Sequence, residues 1–344
     1  MNTEELAFEQ PRDLFGAAPV ELEAGSRDAV RLLVTTPSGH THAKFVDLVR
    51  FLDPGDLLVV NESATLPAGL IANRGAASFT LNLSTRYGER LWLAEPRWDP
   101  AHPGPMPIRV GEQVRVGDAT VRFVVPFPGI PRLWFIHADR PLEPVVEAEG
   151  VPIHYGYVPR SWPLEAYQSL FSRVHGSAEM PSAARPITPR IRTALEEAGI
   201  RFASILLHSG VSSLEIETPT VEEQSVYPEP FEVSAEAAGL ANDVRREGHR
   251  VVAVGTTVVR ALESAWTPDG MVPRSGFTRL FIHMSHPPHA VDGLLTGFHD
   301  PVTSHLAMLA SFIGVARVQE AYREAIAHRY RWHEFGDSHL ILRT

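Results

Sequence analysis

Between residue 78 and about residue 138 the chain alternates apolar and polar positions in short runs, SFTLNLSTR, RLWLAEP, PIRVGEQVRV, ATVRFVVPF and RLWFIHA, separated by Gly, Pro and Asp. A period of two between closely spaced turns predicts a small antiparallel β domain, closed as a barrel. After Pro189 the pattern changes. Residues 191–198 read as a helix, RFASILLH as a strand, 234–247 as a helix, VVAV as a strand and the residues after Gly255 as a helix; RLFIHM reads as a further strand, and Ser304–Ile313 and 318–328 as two closing helices. AVRLLVTT and DLLVVNES, ahead of residue 69, are also strand-like. Mixed segments therefore flank the alternating one. The pattern predicts an α/β domain with an inserted small antiparallel β-barrel domain, the α/β part being residues 1–69 with 150–344 and the barrel residues 70–149.

Within this pattern VVAVGTTVVRALES is the most informative stretch. An apolar strand runs through a tight Gly-Thr-Thr turn into a helix, with Gly255 allowing close backbone approach, Thr256 or Thr257 as cap, and Arg260 and Glu263 one turn further on. Free N–H groups and the positive dipole end at such a helix start favour a carboxylate, a phosphate or a ribose hydroxyl. The run is neither a GxGxxG fingerprint nor a phosphate-binding P-loop, and a plain capped helix in an α/β core explains it equally well.

Composition narrows the function classes. The 344 residues, 44% of them hydrophobic, are enough for a large core. The chain has no apolar run of membrane-spanning length, and the acidic start MNTEELAFEQPRD has no secretory pattern, so a cytoplasmic protein without a membrane partner is expected, as a monomer. The lack of cysteine excludes disulfides, thiolate metal sites and cysteine nucleophiles. A net charge of −10 is not the field of a general nucleic-acid binder, so any RNA contact must be a local patch.

Several polar constellations have competing readings. His283, His286 and His289 are interrupted by Pro287 and Pro288 and lack helical metal-ligand spacing, so no metal is expected there. In VDGLLTGFHDPVTSH, Asp292, Thr296, His299 and Ser304 read as a loop before an apolar helix, where an Asp and a His act as an acid/base pair; Thr303 or Ser304 as helix cap, with Asp300 near the helix start, is the bland reading. His208 follows a strand, at the sheet end where α/β proteins bind ligands. A serine hydrolase is excluded by the missing GxSxG. Asp337 reads as a turn residue or a lining carboxylate, and Tyr167 with Gln168 as a base-stacking pair or as a helix packed inward.

The order of GDLLVVNES with Pro67, YQSLF, GSAEMPSAA, LLHSG, VVAVGTTVVRALES, VDGLLTGFHDP and YRWHEFGDSHLI resembles the S-adenosylmethionine:tRNA ribosyltransferase-isomerase family of queuosine biosynthesis, from Arg27 nearly to the C-terminus. The resemblance implies an α/β domain interrupted by a barrel. It also implies transfer and isomerisation of the ribosyl portion of S-adenosylmethionine, a co-substrate, onto a 7-aminomethyl-7-deazaguanine base in tRNA, giving epoxyqueuosine with loss of adenine and methionine. No metal is implied. Because the sulfonium acidifies the adjacent ribose carbon, the chemistry needs a base and electrostatic support for the shifting charge. Mapped by the resemblance, His299 and Asp292 handle protons with His208 in reserve. Asn61, Gly255, Thr256, Thr257, Arg260, Glu263, Thr296 and Asp337 bind substrate, and Tyr167, Gln168, Pro181 and Ser182 frame a base.

The chain departs from the family pattern where the acceptor is expected. Ala64 and Gly69 stand at two family arginines, Pro186, Gln224 and Tyr227 at three histidines, Gly297 at an asparagine and Asp300 at a leucine, while Glu229 is retained. Lost arginines weaken phosphate attraction. These losses leave two alternatives: a paralogue acting on a small-molecule acceptor, and a non-catalytic S-adenosylmethionine-binding protein.

Overall fold

A computed structural model describes residues 1–98, 106–154, 156–158, 160–211 and 215–343. The near-continuous apolar runs become strands buried on both faces, as parallel strands require. Leu57–Asn61 and Val251–Val254 are buried at every position and lie side by side, parallel, Val59 opposite Ala253. Arg201–Leu207 extends this parallel core on one side and Gly293–Gly297 on the other. Around it the nine-stranded sheet runs in the order 274–278, 229–233, 201–207, 57–61, 251–254, 293–297, 338–342, 31–36, 39–44. One apolar cluster covers each face: Leu57, Val59, Val258, Leu262 and Leu309 belong to one, Leu58, Val60, Ile191 and Leu195 to the other.

The alternating segments close into the expected antiparallel barrel, six strands in the order 130–138, 91–97, 77–86, 69–74, 113–116, 119–127. Ala119–Phe127 shows why: Ala119, Val121, Phe123 and Phe127 point into the barrel core, while Arg122 and Val125 face solvent. Gly69–Arg74 is a barrel strand that the alternation at 78–138 did not include, and only Gln113–Val116 of PIRVGEQVRV pairs. Val211 and Tyr227, which lie outside these strands, join the barrel core and tie it to the sheet.

Three local expectations are corrected. RLFIHM forms no regular strand; Arg274–Thr278 is the strand instead, because the Leu280 carbonyl is taken by Arg260 and the Leu280 N–H by Thr278 Oγ1. Gly293–Gly297 is a strand, so Asp292 and His299 flank it rather than sharing one loop. Gly255, with φ 104°, is itself the N-cap of Thr256–Ser264, and neither threonine caps it; Thr303 does cap Ser304–Ile313, accepting from the Leu306 N–H. No helix among the described residues is long and apolar enough to cross a membrane.

Candidate active site

The parallel strands end together, and the segments leaving their ends build a single cleft. Gly255, Thr256, Thr257 and Arg260 come from the start of the helix after Val251–Val254; Thr296, Gly297, Phe298 and His299 from the end of Gly293–Gly297 and the residues beyond; Ser209 from just past Arg201–Leu207. Residues 179–183 and 280–282 supply other walls, and Val226 with Tyr227 brings in the barrel side. The cleft is open to solvent, with about 1160 Å³ of empty space when its open mouth is counted.

Gly255 is needed at this turn because its φ of 104° is a conformation that side-chain-bearing residues rarely adopt. Among the described residues no side chain caps the helix that begins there, so its first N–H groups remain available at the positive end of the dipole. Asn61 stands behind the turn. Its Nδ2 donates to the Leu207 carbonyl at 2.8 Å and to Thr257 Oγ1 at 3.3 Å, while its Oδ1 accepts from the N–H groups of Ser63 and Leu207. Arg260 reaches into the cleft from the same helix and pairs with Glu229, whose other oxygen accepts from the Gly210 N–H at 2.7 Å.

His299 is fixed from three directions. Its N–H donates to Tyr322 Oη at 3.1 Å, its carbonyl accepts from Trp332 Nε1 at 3.1 Å, and its Nε2 lies 2.8 Å from Thr296 Oγ1. Burial, helped by the neighbouring His305, His333 and His339, holds the ring well below the usual imidazole range, so it is neutral at pH 7. His305 packs on it with ring centroids 4.6 Å apart, and burial followed by Arg260 lowers His305 to about 4.

Opposite them the turn before the last strand supplies His333 and Glu334. His333, at φ 69°, stacks on Tyr157, and its Nε2 lies 2.9 Å from Asp300 Oδ1. Burial works to raise the Asp300 carboxyl, but the His333 contact outweighs it and Asp300 stays below its ordinary range. Glu334 accepts from Tyr157 Oη at 2.9 Å, and burial pushes its carboxyl up to about 7.

Of the residues expected from the sequence, His299, Thr296, Gly255, Thr256, Thr257, Arg260, Pro181 and Ser182 line this cleft. Seven others do not. Asp292 is at the far end of its strand, accepting from the Val251 N–H at 2.9 Å and facing Arg245; a five-residue strand, roughly 13 Å or more, separates it from His299. The expected Asp–His pair is therefore not formed. His208 turns to Ser63 Oγ at 2.7 Å, and its ring fills the space beside Gly176. Gln168 bridges both backbone groups of Thr65, and Tyr167 is buried against Phe335, so this pair packs inward. Glu263 accepts from the N–H groups of His289 and Ala290. Asp337 holds Arg31 at 2.8 Å and the Arg331 N–H. Asn61 acts through Thr257. The sequence reading did not assign Glu179, His305, His333 and Glu334 to the site, although Glu179 lies in the GSAEMPSAA motif, His333 and Glu334 in YRWHEFGDSHLI, and His305 in the histidine-rich C-terminal part of the chain.

Comparison with known proteins agrees with this arrangement. Residues 3–341 match a family model described as queuosine biosynthesis protein. The chain is 36% identical to a Moorella thermoacetica protein over 361 residues, covering 99% of this chain and 100% of that one. It is 38% identical to a Rubrobacter xylanophilus protein over 353 residues, covering 99% and 98%. Both relatives are named S-adenosylmethionine:tRNA ribosyltransferase-isomerase. The crystal structure of S-adenosylmethionine tRNA ribosyltransferase from Thermotoga maritima superposes with a TM-score of 0.56 at 30% identity, covering 98% of this chain and 100% of that one. The membership expected from the motif order is borne out, and the chain belongs to the queuosine biosynthesis protein family.

Proposed function

We propose that this protein is an S-adenosylmethionine-dependent ribosyltransferase-isomerase that modifies a 7-aminomethyl-7-deazaguanine base in tRNA, yielding epoxyqueuosine, adenine and methionine. The observation that carries the reading is His299, held by Thr296, Tyr322 and Trp332, in the same cleft as a helix start at Gly255–Thr257 that no side chain caps. A neutral imidazole accepts a proton, and His299 would take it from the ribose carbon next to the sulfonium. With His299 Nε2–H donating to the Thr296 hydroxyl, Nδ1 carries the lone pair that takes the proton, and the ring keeps its Thr296 partner when doubly protonated. The N–H groups and hydroxyls of Thr256 and Thr257 suit the methionine carboxylate. Arg260 is a positioning residue in this reading, since Glu229 engages its guanidinium.

Charge supports the donor. Glu179 and Glu229 line the cleft, where Arg260 is the one arginine among the described lining residues, and both the sulfonium and the acceptor's protonated aminomethyl group are cations. Proton handling falls to His299, with Asp292 and His208 assigned to the scaffold. Residues 70–149 act as an inserted unit whose apolar core packs behind the Tyr227 wall of the cleft.

Incubating the purified protein with S-adenosylmethionine and tRNA bearing the aminomethyl base tests the reading. The expected result is stoichiometric adenine release with a matching mass gain on the RNA. Adenine release without RNA mass gain would overturn the tRNA half and leave the small-molecule acceptor. Donor binding without adenine release would overturn the enzyme reading.

A further inference from the structure

We propose that His42, Glu324 and His328 form a site for a divalent d-block cation of the Zn²⁺ type, joining the edge strand Gly39–Lys44 to the helix Val315–Ala327. In strand order this edge is three strands beyond Gly293–Gly297, so the site is separate from the cleft. Two periodicities make it. Strand residues two apart advance roughly 6.6 Å and helix residues four apart roughly 6 Å, so an HxH strand matches an ExxxExxxH helix rung for rung. His40 Nε2 accordingly lies 3.8 Å from Glu320, and His42 Nε2 lies 3.4 Å from Glu324.

The lower rung has the dimensions of a coordination sphere. Glu324 Oε2 is 3.4 Å from His42 Nε2 and 3.3 Å from His328 Nδ1, and the three ligand atoms lie within 4.8 Å of one another. A tetrahedral Zn²⁺ with bonds of about 2.0–2.1 Å has ligand-to-ligand edges of roughly 3.3–3.4 Å. Two of the three edges already have this length.

The surroundings prepare the ligands. Tyr330 Oη lies 2.9 Å from His42 Nδ1 and 3.3 Å from the Leu32 carbonyl. A carbonyl only accepts; the phenol donates to Leu32 and accepts from His42 Nδ1–H, leaving the Nε2 lone pair directed at Glu324. Arg31 lies over the Tyr330 ring at 4.2 Å and donates to the His328 carbonyl at 2.7 Å, while Asp337 holds its guanidinium. One arginine thus places the backbone of one ligand and the hydrogen-bond partner of the other. Binding replaces one contact, that of His328 Nδ1 with the Glu324 carbonyl at 3.0 Å. Two imidazoles and one carboxylate select Zn²⁺, Co²⁺, Ni²⁺ or Cu²⁺ over Mg²⁺ and Ca²⁺, and water completes the fourth position.

The test uses the full chain without affinity-tag histidines, stripped with chelator and titrated with Co²⁺. One equivalent should bind with the visible absorption of tetrahedral Co²⁺, and Zn²⁺ should displace it. His42→Ala and His328→Ala should each weaken binding at least about tenfold, and Tyr330→Phe should weaken it while leaving the band shape unchanged. Zn²⁺ should raise the melting temperature of the natural protein but not of the His42→Ala/His328→Ala variant. His283→Ala/His286→Ala should bind as the natural protein does. Absence of saturable binding, undiminished binding in the His42→Ala/His328→Ala variant, or loss through His283→Ala/His286→Ala would each overturn the proposal.

Discussion

Replacing Glu334 by Gln asks whether the cleft holds a carboxyl proton near neutrality. Burial raises this group from an ordinary 4.5 to about 7, Glu179 adds to the rise, and His333 and the Tyr157 hydroxyl oppose it. The folded protein therefore retains a proton that the unfolded chain has already released. The stability this contributes is complete below about pH 4.5 and is lost as pH rises through about 7. At about 1.4 kcal/mol per tenfold change in proton affinity, the full swing is about 3 kcal/mol. Gln keeps an acceptor for Tyr157 and cannot ionise, so the swing should disappear.

Buried His299, His305 and His339 run the other way, because burial lowers all of them and their contribution drains as pH falls below about 6.5. The curve of the natural protein is thus a composite, and the difference between it and Glu334→Gln isolates one group. Denaturant unfolding at intervals from about pH 4.5 to about pH 8 measures that difference. Glu334→Gln should gain on the natural protein by about 3 kcal/mol across the window. Parallel curves would refute the reasoning, since they would mean that Glu334 ionises alike in both states.

The same geometry sets three further outcomes. Arg260→Met leaves the Glu229 carboxylate buried without its partner and should cost about 3–5 kcal/mol in denaturant unfolding, with adding Glu229→Gln restoring part of the loss; strictly additive losses would deny the coupling. His299→Ala should reduce adenine release by about 10²- to 10⁴-fold while the far-ultraviolet circular dichroism is unchanged, and near-normal turnover would remove His299 from the chemistry. Asp292→Asn should leave turnover near normal but lower stability by about 1–3 kcal/mol through the Val251 N–H and Arg245 contacts; a folded but inactive variant would return Asp292 to the reaction.

Much of the architecture was legible because its signals are local. Period-two alternation determined the barrel, continuous apolar runs such as LLVV and VVAV determined the buried parallel strands, and the Gly255 turn marked where they end. A motif order spread over nearly the whole chain determined the family. The tertiary structure decided which polar groups share a cleft. Asp292 and His299 are seven positions apart, yet an intervening strand sends them to opposite ends of the sheet, whereas His299 and Glu334, thirty-five positions apart, face one cavity. The RLFIHM segment reads as a strand by pattern but gives its backbone groups to Arg260 and Thr278. Protonation was likewise decided by folding, because burial and the neighbours brought together by non-local contacts lower His299 and raise Glu334 to about 7. Hydrophobic pattern is a property of neighbours along the chain; distance and desolvation between polar groups exist only once the sheet has brought remote segments together.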